Sequence, residues 1–338
     1  MDPRLADAIQ KKHLDALLAV DQDTVFYLTG CLRQESALAV VTPERIAVVV
    51  PEFERTRAEE DAREGVEVLR YEDFDTKLYK AARALIPGQP HPRIAFPHKL
   101  TTHHTARTLR RRLRSVRWTD ATVVLEGLRS CKTDDEVARL RRACEVTRGV
   151  LDRLMKEGLG DAATEGELRA EVEGAFLREG CDVAFPSIVA AGRNSRLPHA
   201  STTTAPLDGI VLVDCGARYA GYCGDMTRTI PRTEEQEVVL ARVKEAQQAA
   251  LRAIRPGVPL VDVDAAAREA LGELAERFTH SLGHGVGIAV HEMPTVSSKS
   301  KDTVERGMVF TVEPGVYLDD WGVRWEDCVH VTDRARSL

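Results

Sequence analysis

The sequence has little of several features that define common protein classes. Aromatic residues make up 5% of its 338 residues, and Lys plus Arg (47) are fewer than Asp plus Glu (53), for a net charge of -6. This charge argues against a dedicated nucleic-acid-binding protein. There is no apolar run of about 18 residues to span a bilayer, and the polar N-terminus lacks a signal-peptide core. We therefore expect neither a nucleic-acid nor a membrane partner.

Cysteines are present but show no paired pattern. There are seven, scattered along the chain, and none forms a Cys-x-x-Cys pair. An odd, scattered set is typical of free thiols in a reducing compartment rather than of a disulfide framework or a zinc ribbon. We expect a cytoplasmic protein.

Length and charge distribution indicate two domains, which we place at 1–125 and 126–338. The first mixes predicted helices and strands, including a helix from Pro3 through Leu18, a strand over Val25–Leu28 and another over Val123–Leu125. The second holds 35 acidic and 27 basic side chains, so an acidic site belongs there. N-terminal capping patterns predict where three of its helices begin: Thr133 with Glu136, Thr164 with Glu167 and Thr233 with Gln236.

An internal repeat is the most informative feature of the second half. Twice, a hydrophobic strand ends in a carboxylate, a glycine follows two residues later, and a second glycine precedes a second carboxylate by four residues. The first copy carries Asp214, Gly216, Gly221 and Asp225, and the second carries Glu313, Gly315, Gly322 and Glu326. Two matching hairpins predict a pseudo-twofold arrangement with four carboxylates near its axis.

The spacing within each copy predicts a need for cations. A turn near Tyr219-Ala220 would place Asp214 directly opposite Asp225, where like charges repel. Two metal ions held by shared carboxylates would compensate that charge. Two solvated turn acids are the alternative for one isolated pair, but the second copy at Glu313 and Glu326 argues against it.

Histidines complete the candidate site. His280, His284 and His291 fall within twelve residues, among closely spaced glycines. The glycine spacing does not fit a nucleotide-binding loop. One imidazole with four carboxylates is an oxygen-rich ligand set that suits Mn(II), Co(II), Fe(II) or Zn(II). Such dinuclear sites favour amide hydrolysis.

Together these residues resemble the pita-bread metallopeptidases, the group of methionine aminopeptidase, aminopeptidase P and prolidase. The resemblance is strongest from Lys132 to Thr332. It implies an α/β N-terminal domain of the creatinase/prolidase type, followed by an α+β pita-bread (creatinase/aminopeptidase-like) catalytic domain with pseudo-twofold symmetry. It also implies two divalent metal ions, with Mn(II) the first expectation. Its implied metal ligands are Asp214, Asp225, His284, Glu313 and Glu326.

Roles for further residues follow from the same resemblance. Glu313 would also carry a proton to the proline nitrogen that leaves when an Xaa-Pro bond of the substrate is cleaved. His199 and His291 would stabilise the substrate carbonyl and the oxyanion. His280 and Tyr317 match positions around the substrate. Arg324 lies two residues from Glu326, hence on the same strand face, and would orient a carboxylate or bind substrate.

The implied activity is hydrolysis of Xaa-Pro bonds in dipeptides or short peptides, by a homodimer. Prolidase is the first expectation, aminopeptidase P the second, and a catalytically inactive binding or chaperone relative the alternative of another class. Thr295 stands where many prolidases have an arginine that anchors the dipeptide carboxylate. We expect Arg33 to take that role, against the alternative of a solvated loop arginine.

Overall fold

The structure is a computed structural model that describes residues 2–32, 36–71, 77–88 and 90–338. The chain divides into two compact units, 1–128 and 129–338. Within the described ranges, no helix is both long and apolar enough to cross a membrane.

The first unit is built around a mixed six-stranded sheet. Its strands are β1 (Ala16–Ala19), β2 (Leu38–Val41), β3 (Ile46–Pro51), β4 (Val66–Tyr71), β5 (Arg93–Phe96) and β6 (Arg117–Asp120). Its helices are α1 (Pro3–Lys11), α2 (Gln22–Thr29), α3 (Arg55–Asp61), α4 (Lys77–Leu85), α5 (His103–Arg112) and α6 (Thr122–Ser130), the last of which continues into the second unit. The sheet order is β4-β3-β2-β1-β5-β6, and apolar side chains of β1, β2, β3 and β5 form a core with those of α4 and α5.

Three sequence predictions in this unit are wrong. Helix α1 ends at Lys11, and Leu17 and Leu18 belong to strand β1. The segment predicted as a strand over Val25–Leu28 is helix α2, because the Asp21 side chain accepts a hydrogen bond from the Thr24 amide and Gly30 ends the helix in a left-handed conformation. The strand predicted near Val123–Leu125 lies in helix α6.

The second unit combines four long helices with small antiparallel sheets. The helices are α7 (Asp134–Glu157), α8 (Glu165–Arg178), α9 (Glu234–Ala253) and α10 (Leu260–Leu271). The strands are β7 (Asp182–Val183), β8 (Ile188–Ala191), β9 (Val211–Cys215), β10 (Ala217–Tyr219), β11 (Tyr222–Cys223), β12 (Met226–Ile230), β13 (Gly283–Gly285), β14 (Glu292–Val296), β15 (Val309–Val312), β16 (Gly315–Tyr317), β17 (Gly322–Arg324), β18 (Asp327–Val331) and β19 (Ala335–Ser337).

The predicted helix starts are confirmed in this unit. Thr133 and Thr233 form complete capping boxes, with their hydroxyls accepting from the amides of Glu136 and Gln236. Thr164 accepts from the Glu167 amide. Helices α9 and α10 then bury their apolar faces against β15 and β18 in one continuous core, which fixes the strands that carry the second set of carboxylates.

The first hairpin differs in register from the prediction. Strand β9 pairs with β12 so that Asp214 lies opposite Thr227, not Asp225. The turn is centred on Ala220 and Gly221, both with positive φ, one residue later than predicted. A shift of one residue in the turn moves each pairing by two residues, so Asp225 keeps its predicted face of the strand.

The second hairpin contains two further residues between its carboxylates. Val312 pairs with Asp327, and Gly315 pairs with Arg324, so Glu313 and Glu326 occupy facing positions in this register. The two hairpins meet along β12, where the Glu326 amide donates to the Thr227 carbonyl at 3.2 Å. In both copies the predicted strand is interrupted at the second carboxylate, which lies between two shorter strands.

Candidate metal centre

The five predicted metal ligands converge on one cleft. His284 Nε2 lies 3.4 Å from Glu313 Oε1 and 3.6 Å from Asp225 Oδ2. Ligand atoms of Asp225, His284 and Glu326 all lie within 4.8 Å of one another. Asp214 and Glu313 line the same cleft. Residues 112 positions apart in the sequence, from Asp214 to Glu326, are therefore neighbours in space.

Burial and mutual repulsion leave these carboxylates with excess negative charge. Burial first, and then the neighbouring Glu326 charge, raise the pKa of Asp225 and of Glu313 well above their ordinary values. Burial and the Asp214 charge raise the pKa of Glu326 to about 8. Grouped buried acids of this kind must take up protons or bind cations.

The residues present fit divalent metal ions. Oδ1 of Asp214 is buried and accepts no hydrogen bond among the described residues, so it is available as a ligand. The donor set is four carboxylates and one imidazole, which is chemistry for Mn(II), Co(II), Fe(II) or Zn(II). Two ions rather than one would balance four carboxylates that lie together.

The imidazole of His284 is held in a form suited to ligation. Its Nδ1 lies 3.2 Å from the Gly285 carbonyl oxygen, and burial lowers its pKa to about 4, so the ring is neutral and Nε2 faces the carboxylates. The flanking glycine is a steric requirement, because a Cβ at Gly283 would lie 1.9 Å from the Thr311 carbonyl oxygen. The absence of a side chain at Gly283 lets β13 approach β15 closely.

Arg324 is buried beside the acids and is bonded to one of them. Its Nη2 donates to Asp214 Oδ2 at 2.6 Å, and its Nη1 donates to the Tyr317 hydroxyl at 2.7 Å and to the Pro198 carbonyl at 3.0 Å. Burial opposes the charge, yet Tyr317 and the surrounding carboxylates raise the pKa of Arg324 well above its ordinary value. The guanidinium therefore stays charged and partly offsets the acidic cluster.

The other predicted substrate residues surround the same cleft. It has a volume of about 510 Å³, and its wall includes His199, His280, His291 and Thr295. His291 packs against His284 with ring centroids 4.2 Å apart. His280 Nε2 lies 3.0 Å from the Tyr317 hydroxyl oxygen, which links this ring to Arg324. Arg33 lies outside the described residues.

Two threonines that sequence reasoning missed hold the carboxylates in place. The Thr227 hydroxyl donates to Glu326 Oε2 at 2.6 Å and accepts from Arg324 Nε at 3.0 Å. The Thr311 hydroxyl lies 3.3 Å from Glu313 Oε1. The signal was available for Thr311, which stands two residues from Glu313, a spacing that puts both side chains on one strand face, whereas Thr227 reaches Glu326 of the other hairpin.

A buried ionic group was also missed. Glu292, directly after His291, pairs with Arg129, and its Oε2 lies 3.6 Å from Lys132 Nζ. Although burial opposes it, the two cations hold the pKa of Glu292 below its ordinary value. The Ala289 amide donates to the same carboxylate at 2.9 Å, so this group fixes the loop before His291.

Comparison with known families agrees with this geometry. The model of Metallopeptidase family M24 matches residues 138–333, and that of the Creatinase/Prolidase N-terminal domain matches residues 3–131. The chain belongs to metallopeptidase family M24. In this family member, the acidic cluster lies in the part of the chain that the M24 model matches.

Relatives span nearly the whole chain. An Xaa-Pro dipeptidase from Pyrococcus horikoshii is 30% identical over 97% of this chain and 93% of its own length. The solved prolidase from Pyrococcus furiosus is 28% identical, with a TM-score of 0.87 and 98% of each chain covered. An X-Pro aminopeptidase from Thermotoga maritima is 26% identical, with a TM-score of 0.87 over 98% of this chain and 97% of its own. The predicted two-domain fold and the predicted family are confirmed.

Proposed function

We propose that this protein hydrolyses the Xaa-Pro bond of dipeptides with two divalent metal ions. The observation that carries this proposal is the convergence of five ligand-type side chains in one buried cleft. The full-length similarity to Xaa-Pro dipeptidases supports the substrate class. An inactive binding relative is disfavoured, because its site would have no reason to keep so many buried acids together.

Asp214, Asp225, His284, Glu313 and Glu326 would hold the two ions. When bound, these ions would supply a water activated near neutral pH and Lewis-acid polarisation of the scissile carbonyl. Mn(II) is our first choice because the donor atoms are mainly carboxylate oxygens. Arg324 would keep Asp214 in its orientation through the hydrogen bond to Oδ2, since neighbours of this kind orient the ligands themselves.

The proline nitrogen, which is the leaving group, needs a proton. Hydrolysis releases the proline nitrogen as an amine, so this nitrogen, which carries no hydrogen in an Xaa-Pro bond, must be protonated as the bond breaks. We assign this step to the Glu313 carboxyl, which lines the cleft and would take the proton from the attacking water before passing it to the nitrogen. Its Oε1 accepts from the Thr311 hydroxyl at 3.3 Å, so the carboxyl is oriented through one of its oxygens.

The histidines at the cleft wall would bind the substrate. His199 and His291 are exposed to the cleft space and would donate hydrogen bonds to the substrate carbonyl and to the developing oxyanion. Tyr317 and His280 form a bonded pair beside Arg324 and would bound the substrate pocket on that side.

The test is a competition between two substrates. Protein stripped with chelator and reloaded with Mn(II) is mixed with equal Ala-Pro and Ala-Pro-Ala, and both peptides are followed by mass spectrometry. Preferential loss of Ala-Pro supports a dipeptidase. Loss of neither peptide, with two ions bound per chain, would contradict the proposal.

Aminopeptidase P activity is the second candidate, and one observation favours it. Among the described residues lining the cleft, Arg324 is the lone arginine or lysine, and its guanidinium is already bonded to Asp214 and Tyr317. Thr295 supplies no charge for the carboxylate of a dipeptide.

Arg33 is our proposed substitute for the missing charge in a dipeptidase, so Arg33→Ala should raise KM for Ala-Pro but not for Ala-Pro-amide. A KM for Ala-Pro that is the same in Arg33→Ala and in the wild type would reject that role.

Compartment and assembly also belong to the proposal. Cytoplasmic location is supported by seven cysteines that form no disulfide among the described residues. A homodimer is expected from the family resemblance, and analytical ultracentrifugation would test it.

A further inference from the structure

The loop that carries His199 is closed at its base by a carboxylate outside the cleft. This segment, residues 192–202, leaves the end of strand β8 and returns beside it, where the Val189 amide donates to the Thr202 hydroxyl at 2.9 Å. Between these points it forms a short 3-10 turn over Gly192–Arg196 and then presents Pro198 and His199 to the cleft.

Glu165, the first residue of helix α8, joins both ends of this loop. Its side chain is fully buried. Oε1 accepts from the Ala191 amide at 2.7 Å, and Oε2 accepts from the Thr203 amide at 2.8 Å and the Thr203 hydroxyl at 2.7 Å. Ala191 precedes the loop and Thr203 follows it, so one carboxylate fixes the distance between the two ends.

The same carboxylate also holds the middle of the loop. The Asn194 side-chain amide donates to Oε1 at 2.9 Å and to Oε2 at 3.0 Å, and also to the Ser201 carbonyl at 3.0 Å. Every one of these partners of Glu165 donates, which suits a carboxylate with two accepting oxygens. A glutamine would turn one of those oxygens into a donor that faces N–H groups.

We propose that Glu165 is a positioning residue that holds His199 in the cleft through this loop. The far side of the loop is already tied to the site, because Arg324 donates to the Pro198 carbonyl at 3.0 Å. Glu165 supplies the opposite attachment. The proposal rests on the proposed substrate-binding role of His199, and it predicts an effect on catalysis rather than on metal binding.

The kinetic test is a double-mutant cycle with Mn(II)-loaded enzyme and Ala-Pro, or Ala-Pro-Ala if that is the better substrate. Glu165→Gln should lower kcat by about 10- to 100-fold, because a displacement of about 1 Å in a positioned group can cost about 100-fold, with two ions still bound per chain. Combined with His199→Ala, it should add less than about threefold to the loss from His199→Ala alone. Losses that multiply would overturn the proposal.

A matched control and a milder variant guard against general damage. Glu167→Gln removes the same charge from the same first turn of α8, where its carboxylate accepts only from the Ala163 amide among the described contacts, and it should leave kcat unchanged. Asn194→Ala keeps the buried carboxylate but removes the hold on the middle of the loop, so it should lower kcat by about 3- to 10-fold. If Glu165→Gln fails to fold, an unchanged kcat in Asn194→Ala would reject the proposal.

Limited proteolysis separates this proposal from the proposed function. Arg193 is exposed and Arg196 is half-buried in the 3-10 turn, so trypsin cleavage there reports on the closure of the loop. Cleavage should be at least about tenfold faster in Glu165→Gln than in the wild type or Glu167→Gln. Equal rates would overturn the proposal, whereas inactivity of the wild type toward both peptides would overturn the proposed function alone.

Discussion

Two residues before its second carboxylate, the first hairpin has Cys223 and the second has Arg324. The Cys223 thiol donates to the Ile288 carbonyl at 3.3 Å, which is a packing contact. The Arg324 guanidinium instead bonds Asp214, a carboxylate of the other hairpin. The two copies therefore share their acidic residues, but only the second has a guanidinium at this position to offset the negative charge. The guanidinium that bonds one of the four carboxylates comes from the second hairpin, whereas Arg228 of the first pairs with Asp327.

The largest expected effect tests what the copies share. Asp225→Asn and Glu326→Gln each remove one ligand from corresponding positions, so each should lower turnover of Xaa-Pro peptide by about 10³-fold or more. Metal content by mass spectrometry should fall in both, while circular dichroism stays that of the wild type. Near-wild-type activity in either variant would contradict the proposed ligand set.

The next prediction tests what the copies do not share. Arg324→Met should lower kcat/KM by about 100-fold, because Asp214 loses the group that orients it. It should also lower Tm, because a buried acid loses its partner. Cys223→Ala should change kcat/KM by less than about threefold, since it removes one thiol contact. Equal losses in the two variants would break the proposed asymmetry.

Metal removal should make stability depend on pH. The folded pKa of Glu326 is about 8, above its ordinary value of 4.5, so its contribution to stability is full below pH 4.5 and is lost as the pH rises through 8. Chelator-stripped protein should therefore show a Tm several °C lower at pH 8.5 than at pH 5.5.

Two controls sharpen that measurement. Glu326→Gln should remove much of the pH dependence, and reloading Mn(II) should abolish it, because the ions offset the same charge. A Tm that rises between pH 5.5 and pH 8.5 in the stripped wild type would contradict the raised pKa. Loss of the dependence in Asp225→Asn but not in Glu326→Gln would place its source in the first hairpin.

The smallest effect concerns the two threonines. Thr227→Val removes a hydroxyl that bridges Glu326 and Arg324, so it should cost about 1–3 kcal/mol in the free energy of unfolding. Thr311→Val removes a longer contact to Glu313 and the acceptor of the His284 amide at 3.1 Å, and it should cost about 1 kcal/mol. Urea unfolding of the metal-loaded proteins measures both, and a larger loss for Thr311→Val would reverse the order we infer.

Local sequence signals predicted the helix starts, but they failed to predict a helix whose side chains are nearly all buried. The capping threonines of α7, α8 and α9 act within four residues, so the sequence shows them directly. Helix α2 was mistaken for a strand because Thr24–Thr29 are all buried, which erases the helical periodicity. Asp21 and Gly30, the residues that begin and end it, were the better signal.

The candidate site shows the same division. The repeat and the histidine cluster predicted five side chains that the structure does bring together. The pairing of Asp214 with Thr227 was not predictable from the carboxylate spacing, because it depends on a turn with positive φ at Ala220 and Gly221. The contact between Thr311 and Glu313 was accessible through strand alternation, whereas Thr227 reaches Glu326 across 99 residues.

The sequence by itself determined the chemistry of this protein: which acids and imidazoles are available, and which strands and helix starts carry them. The tertiary structure decided which of these groups touch. Arg324 reaches Asp214 across 110 residues, and Glu165 reaches Thr203 across 38. Local patterns report interactions within one or two turns of chain, whereas such long contacts exist only after the sheets and helices have packed and excluded water.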